Sequence, residues 1–300
     1  MEKRRYTVDD TYFDKIDTQD KAYYFGLLYA DGCNYEDSGL IKIDLIEKDV
    51  ELLQTFANDI KYTGEIKHYY TDTEKTFSDD DRVYKCQPMT RLSFRSKRIS
   101  EQLAIKGCVS NKSAIGLFPK EDIIPNDLLR HFIRGYMDGN GGSSFWIDNK
   151  NTGHKKFQIH CCGTTDIINN LSDIFKCKFN CKPATTKRFE DRDNNNLQLC
   201  IDGNKVVCKI LDWLYSDATV YMQRKYEKYI ILLDEIKRVE NDTNLYGNAY
   251  KRRPVINLET KEIYSGVNNA GKTFGVSGST ILSWCRKHQR VMYLDEYEAS

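Results

Sequence analysis

The sequence predicts an α+β protein built from two copies of one αββαββα unit, followed by a small helix-turn-helix module. The first observation is a repeat, because residues 22–32 resemble residues 131–141 and both contain a hydrophobic helical pattern that ends in glycine. The second is that each copy shows the same order of helical and strand patterns. The third is a pair of short helical patterns near the C-terminus, separated by a glycine turn.

A second repeated segment supports the duplication. Residues 94–103 resemble residues 202–211, with Lys97 at the position of Lys205. This offset is almost the same as the one that relates Asp31 to Asn140, and two unrelated motifs would not share it by chance. The predicted division is therefore residues 1–120 for the first half, 121–240 for the second half and 241–300 for a linker and the helix-turn-helix module.

Each half contains the elements of an αββαββα unit, with an antiparallel sheet. Apolar residues at helical spacing predict helices, and alternation of apolar and polar residues predicts strands. In the second half, Asn126 after Pro125 is the expected N-cap of the first helix. The first half is predicted as a helix at 20–31, strand 40–46, helix 50–60, strand 91–94 and a helix after Lys97. The second is predicted as a helix at 126–138, strand 156–161, helix 165–175, strand 197–201 and a helix after Lys205.

The composition is that of a folded protein, since 40% of the 300 residues are hydrophobic and 30% are charged. Lys and Arg number 45 against 44 Asp and Glu, giving a formal net charge of +1. This balance excludes a simple polycation. It leaves nucleic-acid binding open, because binding depends on where the charges lie.

The ten cysteines are expected to be reduced thiols. No apolar segment of a secretory signal follows the N-terminus, and no run of about 18 apolar residues predicts a membrane span. We therefore expect a cytoplasmic protein that is not secreted. A structural zinc site is the less favoured alternative, since paired C-x2-C motifs are absent from the sequence.

The first helix of each half carries small residues on one face: Ala22, Gly26 and Ala30 in one copy, and Gly135 and Gly139 in the other. Glycine inside a helix is about 1 kcal/mol less favourable than alanine. Its presence in both copies therefore indicates two helices that pack closely on each other.

Asp31 ends the first of these helices, with Gly32 expected at the C′ position. A carboxylate at the negative end of a helix dipole is unfavourable by a few tenths to about 1 kcal/mol. Pairing two such ends would favour a bound cation. Carboxylate oxygens suit Mg²⁺, which also binds water and phosphate oxygens.

Residues 24–32 and 133–141 resemble the two copies of the LAGLIDADG motif found in monomeric LAGLIDADG homing endonucleases. The resemblance covers residues 20–240. It implies a pseudo-twofold pair of sheets that form a saddle over double-stranded DNA with a long target site. It also implies Mg²⁺ at the ends of the motif helices, and cleavage of both strands across the minor groove that leaves 3′ overhangs.

The resemblance also suggests site residues. Asp31 and Asn140 occupy the positions of the metal-binding acids. Lys97 and Lys205 fall near the position of a basic residue that follows the last strand. Their implied role is to hold the attacking water and to stabilise charge on the scissile phosphate. Glu47, with Thr164 in the second half, lies about where a polar residue orders the attacking water.

Asn140 departs from the family pattern, which has Asp or Glu at this position. An amide oxygen can contact a cation, but it does not supply negative charge. Asp138 is two residues away and faces another direction on the helix. Three explanations stay open: a deliberate change that traps an uncut complex, a natural nickase, or a degenerate relative that only binds DNA.

DNA-facing residues are expected to alternate along the strands. In the second half residues 157, 159 and 161 form the apolar set, so the intervening residues face outward. The candidates are Lys42, Asp44, Lys156, Gln158 and His160.

The C-terminal segment reads as a polar linker at 241–248, a strand at 254–258 and two helices at 266–274 and 277–288. Residues 251–292 contain eight Lys and Arg against two Glu. The segment resembles the intron-encoded nuclease repeat modules of phage homing endonucleases, which implies a bacterial or phage-infected host cell. A structural cap is the alternative. The candidate DNA contacts of the segment are Ser279, Thr280, Ser283, Arg286 and Lys287.

The favoured function is a monomeric, Mg²⁺-dependent DNA endonuclease. One alternative is a sequence-specific DNA-binding protein without cleavage activity. Another is an intron RNA maturase, whose partner would be intron RNA. A metabolic enzyme is disfavoured, because phosphate-binding and nucleophile motifs such as G-x4-G-K-[ST] and G-x-S-x-G are absent from the sequence.

Overall fold

The computed structural model describes residues 5–70, 74–77, 80–149, 153–187, 195–241 and 253–298. Its internal contacts divide the chain into two compact units. Unit 1 contains Met1–Asp148 and Lys155–Asp234, and unit 2 contains Asn149–His154 and Glu235–Ser300. Both predicted halves thus contribute to unit 1. The finer division at 120 and 240 stays a prediction.

The first half of unit 1 is an αββαββα unit with an added hairpin. Its four-stranded sheet has the order β1-β2-β6-β3, and all the described neighbours are antiparallel. Strands β4 and β5 form a separate hairpin. The elements are α1 (Gln19–Asp31), β1 (Gly32–Tyr35), β2 (Leu40–Ile46), a 3-10 turn (Glu47–Asp49), α2 (Val50–Asp59), β3 (Lys67–Tyr69), β4 (Glu74–Phe77), β5 (Asp80–Lys85), β6 (Met89–Arg95), α3 (Lys97–Ile105) and α4 (Lys112–Ile115).

The second half repeats this order of helices and sheet strands. Its sheet has the corresponding order β7-β8-β10-β9. The elements are α5 (Leu129–Asn140), β7 (Gly141–Asn149), β8 (His154–Thr164), α6 (Thr165–Phe179), β9 (Ala184–Lys187), β10 (Asn196–Asp202), α7 (Asn204–Tyr215) and α8 (Gln223–Asn241), of which the end of α8 falls in unit 2. The predicted α+β class and the αββαββα order are confirmed.

Helices α1 and α5 pack against each other through their glycines. A Cβ added to Gly26 would lie 2.1 Å from the carbonyl oxygen of Phe132, and one added to Gly135 would lie 2.0 Å from that of Tyr23. Only residues without a side chain allow the two backbones to approach so closely. The predicted stripe of small residues therefore lies at the contact between the two helices.

Two details of the helix ends differ from the prediction. Helix α5 begins after Leu128, which is its N-cap, and the Asn126 side chain instead donates to Glu121 at 2.6 Å. Gly32 is not in the left-handed C′ conformation; at φ −76° and ψ 160° it is extended, because β1 starts directly at the end of α1.

Unit 2 contains a three-stranded sheet of order β12-β11-β13. Ser277 caps its second helix by accepting from the Thr280 backbone N–H at 3.2 Å, and left-handed Gly275 turns the chain between the helices. The predicted linker lies outside the described residues apart from Asn241, as do Lys251 and Arg252. The elements are β11 (Val255–Asn257), β12 (Ile263–Tyr264), α9 (Val267–Phe274), α10 (Gly278–Arg286), β13 (Val291–Tyr293) and α11 (Leu294–Glu298).

No helix in the described parts of the chain is both long and apolar enough to cross a membrane.

Candidate functional site

The C-terminal ends of α1 and α5 lie side by side in unit 1. Asp31 is the last residue of α1, and Asn140 is the last residue of α5. A Cβ added to Gly139 would lie 3.3 Å from the Asp31 carboxylate oxygen Oδ2 and 2.3 Å from the Ala30 Cβ. The carboxylate therefore lies against the last turn of the neighbouring helix, as the paired motif helices predict.

The Asp31 side chain is exposed to solvent and yet has many protein atoms around it. Burial raises the pKa of this carboxyl group above its ordinary value, although the positive charges of Lys225, Lys112 and Arg224 act in the opposite direction. Asp31 is thus an accessible carboxylate in an environment that favours a bound cation or a proton.

Lys112 and Lys225 close the ends of the two motif helices. The Lys112 ammonium donates to the Gly32 carbonyl oxygen after α1. The Lys225 ammonium donates to the carbonyl oxygens of Met137 at 3.0 Å and Gly141 at 2.8 Å at the end of α5. Both lysines are buried. They bind carbonyl oxygens at or just beyond the helix ends. Their positive charge opposes the negative end of each helix.

Sequence reasoning missed these two lysines. Lys112 starts α4, and Lys225 lies in the first turn of α8, so neither follows a strand directly. A signal was nevertheless present, because the offset between them is close to the one that relates Asp31 to Asn140. The two offsets still differ by four residues, so the repeat would align Lys112 with Lys225 only across a gap.

Lys97 and Lys205 lie elsewhere. Lys97 begins α3 and contacts Gly39 in the β1–β2 turn, at the other end of β1 from Gly32. Lys205 is exposed at the start of α7, where the preceding residue Asn204 donates to the Lys155 carbonyl oxygen near the start of β8. The end of α5 meets β8 several residues further along, because Gly141 lies against the His160 carbonyl oxygen. The structure therefore does not bring these two lysines to Asp31 and Asn140.

Asn140 is half-buried at the end of α5. Its Nδ2 donates to the Tyr136 hydroxyl at 3.3 Å. With Tyr136 it lines a small pocket that also includes Lys112, Thr164 and Asn196. Asn140 thus lines a polar pocket that also contains Lys112, one of the two lysines at the helix ends.

Asp138 cannot replace the missing acid, because it is fully buried and its oxygens accept three hydrogen bonds. The donors are the Tyr23 hydroxyl at 2.7 Å, the Tyr215 hydroxyl at 2.6 Å and the Met222 backbone N–H at 2.9 Å. The Met222 bond holds the segment that precedes α8, and α8 carries Lys225. We call Asp138, Tyr23, Tyr215 and Met222 the Asp138 cluster.

The polar residues after the first long strands have local partners. Both Glu47 carboxylate oxygens lie 3.0 Å from the His68 ring nitrogen Nδ1. The Thr164 hydroxyl donates to the Gly116 carbonyl oxygen at 2.6 Å and caps α6. Thr164 shares the pocket of Asn140, whereas no described contact joins Glu47 to Asp31.

The strand candidates lie on the open sheet faces. Ile41, Ile43 and Leu45 are buried, and so are the alternate residues of β8. Lys42, Asp44, Lys156, Gln158 and His160 occupy the intervening positions.

Each of these candidates also has a neighbour on the surface. Asp44 pairs with Arg91, Lys156 lies 2.9 Å from Asp148, and Gln158 donates to Asp202 at 2.8 Å. Burial, followed by the charges of Lys225 and Lys228, lowers the pKa of His160, so this ring is neutral near pH 7.

The candidates of unit 2 lie on α10. Ser279, Arg286 and Lys287 are exposed, and Thr280 and Ser283 are half-buried. The Ser279 and Thr280 hydroxyls lie 2.7 and 3.0 Å from the capping Ser277 hydroxyl. The hydroxyl groups at the start of α10 therefore interact with the N-cap residue, whereas two cationic side chains are exposed at the end of the helix.

No protein-family model matches this sequence, and no curated protein matches it. Several solved structures are similar. The LAGLIDADG homing endonuclease I-GzeII in complex with its DNA target has a TM-score of 0.48 and 12% identity, covering 77% of this chain and 94% of that one. The I-LtrWI LAGLIDADG homing endonuclease bound to target DNA has a TM-score of 0.45 and 13% identity, covering 79% and 94%. I-SmaMI bound to uncleaved DNA with calcium ions has a TM-score of 0.44 and 10% identity, covering 75% and 93%. The first two bear the name of the family that the motif helices resemble.

Proposed function

We propose that this chain is a site-specific endonuclease of double-stranded DNA that acts as a monomer, with its active site at the ends of α1 and α5. The observation that carries the proposal is the glycine contact between these helices, which places Asp31 beside the end of α5. One chain thereby supplies both motif helices and two open sheet faces. This arrangement suits a DNA site longer than either half could cover.

The donor groups at the helix ends fit one partly hydrated Mg²⁺. Mg²⁺ is usually held by one or two carboxylates together with water and substrate phosphates. Asp31 supplies an exposed carboxylate and Asn140 an amide oxygen, and no cluster of three or more His, Cys, Asp or Glu ligands occurs among the described residues. Bound there, Mg²⁺ would supply a more acidic water and neutralise phosphate charge.

In this proposal Lys112 and Lys225 take the place of Lys97 and Lys205. Lys112 holds the attacking water, and the positive charge of both lysines stabilises charge on the scissile phosphate. The Lys225 ammonium already donates to three carbonyl oxygens, at Met137, Asp138 and Gly141. Among the described contacts Lys112 donates only to Gly32. Lys112 therefore keeps N–H donors that can reach a phosphate.

The replacement of one acid by Asn140 makes the two halves chemically unequal. Of the two described residues that end α1 and α5, only Asp31 offers an anionic ligand, so we propose that the chain as given nicks one strand and cuts the other slowly. The test is incubation of a supercoiled plasmid that carries a site selected from random DNA, with Mg²⁺ or with Ca²⁺. Open-circular product with Mg²⁺ supports the proposal. Tight binding with both strands intact would instead support a DNA-binding protein without cleavage, and preferential binding of intron RNA would support a maturase.

Asn140→Asp is expected to convert nicking into double-strand cleavage, because it restores a second carboxylate beside Asp31. Linear plasmid should form at least about tenfold faster than with the unchanged chain. Asn140→Ala is the matched control, since it removes the amide oxygen without adding charge, and it should leave the product open-circular. An Asn140→Asp protein that binds its site with Mg²⁺ but leaves both strands intact would contradict the proposal.

We also propose that unit 2 binds DNA through α10. The exposed Arg286 and Lys287 at the end of this helix, beside exposed Arg290, present positive charge suited to phosphates. Replacing Arg286 and Lys287 together with Gln should weaken binding to all sequences and reduce the slope of log K against log salt concentration by about 2. Lys261→Gln, in the turn between β11 and β12, is the single-charge control. An unchanged slope in the double variant would argue for a structural cap.

A further inference from the structure

Arg91 lies on the open face of the first sheet and is held by Asp44. Strand β6 places Arg91 directly opposite Asp44 of β2. Its Nε donates to Oδ1 at 2.6 Å, and its Nη2 donates to Oδ2 at 2.7 Å. Burial raises the pKa of Asp44, but the hydrogen bonds and charge of Arg91 bring it below its ordinary value. Arg91 and Asp44 therefore form an ion pair joined by two hydrogen bonds near neutral pH.

Tyr69 supports the same guanidinium group from a third strand. The guanidinium carbon lies 4.7 Å from the centre of the Tyr69 ring, and Nη1 donates weakly to the Tyr69 hydroxyl at 3.4 Å. About a third of the Arg91 side chain stays exposed. Two contacts of different kinds thus limit the orientations of a side chain that would otherwise have many.

The outer edge of this guanidinium group remains available. Asp44 occupies the edge formed by Nε and Nη2, and within the described chain Asp44 and Tyr69 are the hydrogen-bond partners of Arg91. Asp44 takes one N–H each of Nε and Nη2, and Tyr69 takes one of Nη1, so each Nη nitrogen keeps one further N–H that can donate to a DNA base. Such a pair matches the O6 and N7 acceptors that guanine exposes in the major groove.

A phosphate is a poorer match than a base edge. The Asp44 carboxylate cancels the charge of Arg91, and a phosphate at the outer edge would stand close to this negative group. Lys42, whose Nζ lies 3.7 Å from Asp44 Oδ2, supplies positive charge at a different position. A neutral base edge can accept both hydrogen bonds and is not repelled by the Asp44 carboxylate.

We propose that Arg91, oriented by Asp44 and Tyr69, recognises one guanine of the DNA target; this rests on the DNA-binding function proposed above. Asp44, a candidate for direct DNA contact, is then a positioning residue. The assignment follows from the register between β2 and β6, which brings the two side chains together.

The test is selection of binding sites from a randomised DNA duplex by the full chain, with Ca²⁺ in place of Mg²⁺. Arg91→Lys keeps the charge but loses the paired donors. It should reduce the preference for guanine at one position by about tenfold and leave other positions unchanged. Asp44→Asn should weaken the preference at the same position, since Arg91 is then less restrained. Arg95→Lys is the matched control, because Arg95 lies on the same strand and face and donates to the Ser38 carbonyl oxygen instead of a carboxylate. Thermal unfolding checks that each variant is folded.

Three results would overturn the assignment. An unchanged guanine preference in Arg91→Lys would show that another group reads this base. Weaker binding to all sequences alike would show a phosphate contact. If the unchanged chain enriches no sequence at all, the proposed function fails together with the assignment, whereas the first two results leave that function intact.

Discussion

Asp31→Asn should lower DNA cleavage by roughly a hundredfold or more while leaving DNA binding largely intact. Asp31 is the carboxylate at the paired helix ends, since its counterpart is Asn140 and Asp138 is buried with three hydrogen-bond donors. The amide is nearly the same size as the carboxylate, so the change removes charge and little else. Single-turnover cleavage of a plasmid, with binding measured in Ca²⁺, separates chemistry from affinity.

The same substitution should not destabilise the fold. Burial raises the pKa of Asp31, so the folded chain disfavours the ionised carboxylate relative to the unfolded chain. This unfavourable contribution is present when the group is ionised, and it disappears as the pH falls below the ordinary pKa. Near pH 7 Asp31→Asn should leave the melting temperature unchanged or raise it.

Asp37→Asn is a control for the loss of one exposed carboxylate, because Asp37 lies in the β1–β2 turn, away from the helix ends. It should cleave as the unchanged chain does. Full cleavage by Asp31→Asn would show that the chemistry takes place elsewhere, and a large loss of stability would show that Asp31 has a structural role.

Gly135→Ala should destabilise unit 1 by about 3 kcal/mol or more. In an ordinary exposed helix the same change stabilises by about 1 kcal/mol. The sign of the change in the free energy of unfolding therefore distinguishes a close helix contact from an exposed helix. Here the new Cβ would lie 2.0 Å from the Tyr23 carbonyl oxygen and 2.9 Å from the Leu27 backbone nitrogen. Backbone atoms of α1 cannot move aside singly, so the two helices must separate. Urea unfolding followed by circular dichroism measures the difference.

Gly142→Ala is the matched control for the glycine substitution. Its Cβ would lie 3.2 Å from the His160 side chain, which can shift, and the expected change in stability is small. Gly26→Ala should behave like Gly135→Ala, because its Cβ would lie 2.1 Å from the Phe132 carbonyl oxygen. If either helix substitution increased stability, the close contact between α1 and α5 would be refuted.

The elements with strong local patterns were predictable. Leu40–Ile46 alternates regularly between buried and half-buried residues and was predicted with the observed bounds. Short strands without such a pattern were not, including exposed β3 and β9. The N-cap preference of Asn126 predicts a start of α5 that is too early, because the Asn126 side chain instead donates a hydrogen bond to Glu121.

The sequence predicts the part of the candidate site that lies within the repeated segments. Asp31, Asn140 and the glycine contact follow from two similar segments. Lys112 and Lys225 lie about eighty residues along the chain from the helix ends they cap, so only the folded chain brings them there. The pairing of Arg91 with Asp44 likewise depends on the register between strands that are far apart in sequence.

Because of the Asp138 cluster, neither half of unit 1 can substitute for the other in the α1–α5 contact. Tyr23 meets Asp138 across the helix pair, whereas the positions related to them by the repeat, Phe132 and Tyr29, meet as two aromatic rings 5.9 Å apart. Two copies of the second half would bury two carboxylates, each facing a phenylalanine, and two copies of the first half would contain none. If the duplicated segments were ever separated into two polypeptides, each would therefore assemble with the other in preference to itself. The two duplicated halves have therefore diverged into different partners, each of which needs the other to form the helix contact.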